Sequence, residues 1–282
     1  MKHAIKSVIL GLSLLLANGG AAYTQDSDKG LDAVLQGDFA TALNEWRPLA
    51  EQGYAGAQYN LGGMYASGMG VSQDYTEAVK WYRLAAAQGY VLAQRDLGEM
   101  YDSGEGVTQD YTEAVKWYRL AAEQGDTSSQ NNLGTMYYNG EGVTQDYTEA
   151  LKWIRLAAEQ GNASAQVKLG WMYDSGNGVT QDYTQAVKWY RLAAEDWDED
   201  AQNRLGSMYY NGDGVTQDYA EALRWYRLAA AQGYADAQYN LGVMYERGQG
   251  VTQDGQEAVK WYRLAAAQGN EPAKSALEDL GQ

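Results

Sequence analysis

The sequence predicts an all-α protein, an α-solenoid of six helix-turn-helix repeats of 36 residues with half-repeats at its ends. Three observations predict it. A single sentence of residues recurs six times at constant spacing, starting at Ala57, Ala93, Ser129, Ala165, Ala201 and Ala237. A period of about 20–50 residues marks an array of small units that bury their apolar faces on one another. Each copy also carries two apolar stripes at helical spacing, and glycine and aspartate punctuate the borders between them.

The chain opens with Lys2 and Lys6, then an apolar run from Val8 to Ala17, then Gly20-Ala21-Ala22. About 10 apolar residues are too few to span a bilayer, so 1–22 reads as a bacterial export signal cut before Tyr23. The mature product is expected in the periplasm or outside the cell. Residues 23–30 read as a short acidic linker. Residues 31–56 read as an N-terminal capping half-repeat, with Trp46 at the place of Trp81 and Pro48 disturbing its second helix. The full repeats then run over 57–92, 93–128, 129–164, 165–200, 201–236 and 237–272. Residues 273–282 form a last helix that caps the array with Glu278 and Asp279 outward.

Within a repeat, Ala57, Leu61, Met64 and Tyr65 share one helical face, and the helix is expected over about Ala57 to Ser67. Gly68-x-Gly70 ends it, because glycine reaches the positive φ of a helix stop. Asp74 with Glu77 is a capping box that starts the second helix. Ala78, Tyr82, Ala85 and Ala86 form its buried stripe, and Gly89 its stop. Gly62 recurs inside every first helix at a cost of about 1 kcal/mol against alanine. Its recurrence implies a close approach, with Ala78 or Ala85 expected opposite. Trp81 and Leu84 are expected between consecutive units, and Lys80 and Arg83 on a solvated face.

Composition removes several classes of function. There are 0 Cys, and the single His is His3, inside the export signal. Disulfides, thiolate or imidazole metal sites and Ser-His or Cys-His catalysis are therefore absent from the mature sequence. Without Lys2 and Lys6, the 21 Lys and Arg become 19 against 37 Asp and Glu, a formal charge of about −18. Such a surface repels nucleic acid and favours basic partners. The Gly104–Asp110 loop lacks the Lys of a phosphate loop and the alternating acids of a calcium loop.

The elements Leu61-Gly62-x-Met64-Tyr65, Gly68-x-Gly70-Val71, Asp74-Tyr75 and Ala78-x-x-Trp81-Tyr82-x-x-Ala85-Ala86 resemble the Sel1-like repeat, a relative of the tetratricopeptide repeat. The resemblance covers about 57–272 and implies antiparallel helix pairs in a right-handed superhelix. It implies an adaptor or scaffold, with a concave groove lined by the first helices. Some secreted cysteine-rich relatives are linked to β-lactam binding. This chain has neither their cysteines nor a Ser-x-x-Lys, so that activity is not carried over.

Three first-helix positions vary freely between copies and share one face, those of residues 59, 63 and 66. On that face the candidate partner-binding residues are Tyr59, Arg95 and Tyr239 at the first position and Glu99 and Trp171 at the second. The third position supplies Asp102, Tyr138, Asp174 and Tyr210. The pattern reads either as a groove of aromatic anchors with acidic rims or as drift on a solvated face. Trp197 replaces a stop glycine within Glu195–Asp200, either as a cation site or as a divergent turn.

Three functions stand open. The first is an exported adaptor holding a protein or peptide, with no catalytic, cofactor or metal site, no nucleic acid and no membrane span. The second is a binder of envelope glycan or muropeptide. The third is an enzyme in which carboxylates such as Asp102 and Asp174 do acid–base work.

Overall fold

A computed structural model of the protein describes residues 24–281. The expected export signal at 1–22 lies outside the described residues. Among the described residues there are helices and turns and no strand. The chain divides into two compact units at the Asp146–Tyr147 bond, inside the third repeat. The first unit holds α1 (Thr24–Leu35), α2 (Phe39–Glu51), α3 (Ala55–Ser67), α4 (Tyr75–Ala87), α5 (Val91–Ser103), α6 (Tyr111–Glu123) and α7 (Thr127–Asn139). The second holds α8 (Tyr147–Glu159), α9 (Ala163–Ser175), α10 (Tyr183–Glu195), α11 (Glu199–Asn211), α12 (Tyr219–Ala231), α13 (Ala235–Arg247), α14 (Gly255–Ala267) and α15 (Glu271–Asp279).

Each repeat is an antiparallel pair. The Asp74 N–H donates to the Tyr65 carbonyl, Gly62 faces Ala78 and Tyr82, and Gln88 reaches Gln58. One residue number falls as its partner's rises. Asp74 is the N-cap of α4, and its Oδ1 accepts the Glu77 N–H at 3.0 Å. The reciprocal half of the expected capping box is missing. The Asp74 N–H is already held by the Tyr65 carbonyl at 2.9 Å, and the Glu77 carboxylate turns to Lys80 at 2.5 Å. Gly68 and Gly70 both take positive φ, 71° and 73°. The loop is then stapled by Gln73, whose Nε2 donates to the Ala66 carbonyl at 2.8 Å. That satisfies an acceptor the helix end would leave orphaned, and it explains the Gln before the capping Asp of the second helix in each of the six repeats.

Several sequence expectations need correction. Residues 23–30 are not a linker, because α1 is helical from Thr24. Gly30 lies against the Trp46 indole, where a β-carbon would meet Nε1 at 2.2 Å, so this helix packs as part of the cap. Trp46 sits 36 residues before Tyr82 rather than before Trp81, and like Tyr82 it is buried. Pro48 leaves α2 intact. It lies in the last turn, where the ring removes a single hydrogen bond. First helices begin two residues earlier than expected, at Ala55 in the first copy, and the final helix is Glu271–Asp279.

The close approach at Gly62 is made by the Tyr82 ring, with the Ala78 carbonyl behind it and not Ala85. Leu84 is half-exposed, as are Leu120 and Leu264, so this position does not fill the junction between repeats. The tryptophans do: Trp225 is buried against a core built from α10 and α11. Arg83 is exposed, as expected, and also links repeats. Its Nη2 donates to the Tyr101 hydroxyl of the next repeat at 2.5 Å, with the guanidinium over that ring. The link recurs at Arg47–Tyr65, Arg155–Tyr173, Arg191–Tyr209 and Arg227–Tyr245. A buried glutamine ladder joins repeats too. Gln94 donates to the Ala86 carbonyl at 3.2 Å and accepts from Gln124 at 2.7 Å.

Candidate binding groove

The first-helix face that varies between repeats carries a cavity of about 490 Å³ in the first unit. Its origin is volume that this copy lacks. At the second and third face positions α3 has Gly63 and Ala66, whereas α5 has Glu99 and Asp102. The walls are Tyr59, Tyr75, Tyr82 and Tyr118, and the acids Asp96, Glu99, Asp102 and Glu105 line the space with no Lys or Arg among the lining residues.

Beneath it runs a buried polar network. Tyr59 is 2% exposed, and its hydroxyl donates to Asp96 Oδ2 at 3.0 Å. The Arg95 Nε donates to Asp96 Oδ1 at 2.8 Å, and its guanidinium lies 3.9 Å from Glu99 and 3.8 Å from Asp126. Desolvation pushes the Asp96 carboxyl above its ordinary range against the pull of Arg95. Partial burial and the neighbouring Asp96 charge push Glu99 up to about 7. Asp102 is raised mainly by desolvation, against a 3.3 Å hydrogen bond that its Oδ2 accepts from Tyr118. One guanidinium is thus shared by three carboxylates, and a negative excess faces the cavity.

The nine sequence candidates separate on inspection. Tyr59, Glu99 and Asp102 line this cavity, and Arg95 lies under it as a structural counter-charge. Trp171 lines a second cavity of about 360 Å³, with Val167, Lys168, Asp198, Asp200 and Arg204. It is half-buried and packs on the core of α10 and α11. Tyr138, Asp174, Tyr210 and Tyr239 line neither of these two cavities. The Tyr210 hydroxyl donates to Gln249 Oε1 at 2.5 Å, and the Tyr239 ring lies 5.7 Å from that of Tyr262. Asp174 is raised by desolvation, opposed by Arg204.

Sequence reasoning missed Asp96, Tyr82 and Tyr118. Both tyrosines read as core stripe, and both also line the cavity. Asp96 was legible as an opposite charge beside Arg95 at two positions the repeat leaves free. Among the described residues, no group of three acids is placed to hold a metal ion. None of these helices is long and apolar enough to cross a membrane.

The architecture defines an all-α helical-repeat protein. Residues 55–90, 91–126, 127–162, 163–196, 199–234 and 235–270 match the Sel1 repeat, and the chain belongs to the Sel1 repeat family. It is similar to a protective antigen present in uropathogenic Escherichia coli strains displaying an SLR fold, with 43% identity and a TM-score of 0.85 over 90% of this chain. The chain spans 56% of the length of that structure. It is also similar to a Sel1 repeat protein from Oxalobacter formigenes, at 34% identity and a TM-score of 0.77, covering 86% of this chain and 97% of that one. No curated protein matches the chain. Sel1 repeat proteins are generally scaffolds for protein–protein interaction and are typically non-enzymatic.

Proposed function

We propose that this protein is an exported adaptor, periplasmic or secreted, that holds a segment of a protein partner against the first-helix face of its repeats. The observation that carries the reading is the cavity at Tyr59, Gly63, Glu99 and Asp102, which opens on the face the repeat leaves free to vary. Concave sites with convergent polar groups are the default binding sites of a fold. Its acidic lining and the net charge of −16 favour a basic segment. Export rests on the charged and apolar start of the chain, and the likeness to a protective antigen is in keeping with it.

Site-directed photo-cross-linking in envelope extract tests the groove. A photoreactive residue at Ser103, on the cavity, should capture a protein partner, and one at Leu120, on the outer face of α6, should not. Equal capture from both positions overturns the reading. Recovery of glycan without protein moves it to the glycan binder. Mass spectrometry of the exported protein should find Tyr23 as its first residue, and retained Met1 contradicts the export signal.

A further inference from the structure

We propose that the cavity of the first unit receives the guanidinium of an arginine side chain carried by the partner segment. The inference rests on the adaptor reading and names the chemistry of its site.

The Tyr82 hydroxyl is an unpartnered group in the cavity. Tyr82 is 5% exposed and lines the space, yet its hydroxyl makes no hydrogen bond with any described residue. In three other copies the same hydroxyl is satisfied from the facing first helix, whereas Tyr190 of the fourth copy has no hydrogen-bond partner. Tyr118 donates to Asp102, Tyr226 to Ser207 and Tyr262 to Glu246. In the first copy those facing positions are Gly63 and Ala66, which offer no acceptor. Tyr82 is buried as a residue, but its oxygen stays open to the cavity, so a ligand donor there takes the place of solvent rather than of a protein group.

The rest of the lining sets the ligand's charge and shape. Asp96, Glu99, Asp102 and Glu105 line the cavity, and the nearby Arg95 is occupied by Asp96, Glu99 and Asp126. The acids are not grouped closely enough to share a metal ion. A larger organic cation reaches more of them at once. Guanidinium is planar, keeps its charge on burial and offers five donors that reach separated carboxylates and a phenol oxygen. An ammonium is a point charge with stronger hydration and uses less of this lining.

Titration calorimetry with acetyl-Gly-Gly-Arg-Gly-Gly-amide tests the assignment on the full mature chain. Saturable binding with Kd below about 10 mM is expected, weak because a single side chain supplies few contacts. The citrulline peptide, with the same shape and no charge, should bind at least about tenfold more weakly. Two variants place the site. Glu99→Gln with Asp102→Asn removes charge and should weaken the arginine peptide about tenfold or more. Ala66→Tyr fills the cavity with the residue that Tyr138 and Tyr210 occupy in sister repeats, and should abolish binding while the melting temperature stays near the parent's. Absence of saturable binding overturns the proposal, as does equal binding of the citrulline peptide or indifference to Ala66→Tyr. Spermidine binding tighter than the arginine peptide transfers the site to a free polyamine and overturns it as well. If the peptide fails while Ser103 still cross-links a protein, the adaptor reading stands and only the arginine assignment falls.

Discussion

A β-carbon placed on Gly98 would lie 2.7 Å from Cδ1 of the Tyr118 ring, closer than two carbons can approach. Tyr118 cannot retreat, since it is 1% exposed and its hydroxyl is held by Asp102. The same relation joins Gly62 to Tyr82, Gly170 to Tyr190, Gly206 to Tyr226 and Gly242 to Tyr262. Alanine gains about 1 kcal/mol over glycine in an exposed helix. Overpacking a core costs about 1–3 kcal/mol, and ring carbons near the backbone do not yield cheaply. Gly98→Ala should therefore lower stability by about 1 kcal/mol net in urea unfolding. A stabilised variant would mean that the ring moves freely.

Trp197 is the single non-glycine residue with positive φ among the described residues, at 66°. The five sister positions are Gly89, Gly125, Gly161, Gly233 and Gly269, each at 85° or more. Trp197 is 65% exposed, so its removal gives up little packing. Its N–H reaches the Ala194 carbonyl at 3.3 Å, against 3.0 Å from Gly89 to Ala86. Trp197→Gly should stabilise the chain by about 1 kcal/mol, the cost of the left-handed conformation for a side chain. A fall in the thermal midpoint would show that the indole packs usefully.

The glutamine ladder predicts a larger loss. Gln94 is 3% exposed, with its amide committed at both ends, to the Ala86 carbonyl and the Gln124 amide. Gln94→Met keeps the length and removes two hydrogen bonds, although the Ala86 carbonyl keeps the Gly89 N–H and the exposed Gln124 keeps the Leu120 carbonyl. At about 0.5–1.5 kcal/mol per bond it should cost about 1–2 kcal/mol, read as a lower denaturant midpoint at unchanged slope. An unchanged midpoint would show that water replaces the ladder.

Glu99 gives the stability curve a direction. Its folded pKa is raised to about 7 by partial desolvation of a half-exposed carboxylate and by Asp96, above the ordinary 4.5. Between those values the folded protein binds more protons than the unfolded chain, so this group makes stability fall as pH rises from 4.5 through 7. Glu99→Gln should flatten that fall in melting temperatures taken from pH 4.5 to 8. Parallel curves for parent and variant would show that Glu99 titrates normally.

Trp171→Ala should lower the melting temperature as well as partner affinity. On the sequence Trp171 is a candidate partner-binding residue. It packs against the core of α10 and α11. The loss is placed at about 1–2 kcal/mol, below that of a fully buried Trp, which costs about 3–5. A melting temperature equal to the parent's would restore the purely binding role.

The repeat and its punctuation were settled by the amino-acid sequence alone. Helical stripes, the Asp74 cap and the Gly68 stop are local, and local chemistry reads directly off neighbouring residues. So does the family, because the repeated residues are those that make one unit pack on the next. The sequence also marked positions 59, 63 and 66 as variable, but it did not show that the fold buries the first of them, Tyr59, in the core. Only tertiary structure decided which of those residues meet. Arg83 lies 18 residues from Tyr101, and Tyr59 lies 37 from Asp96, separations that no periodicity relates to a contact. The cavity is a deficit of volume at Gly63 and Ala66, and a deficit becomes visible only when the surrounding side chains are placed.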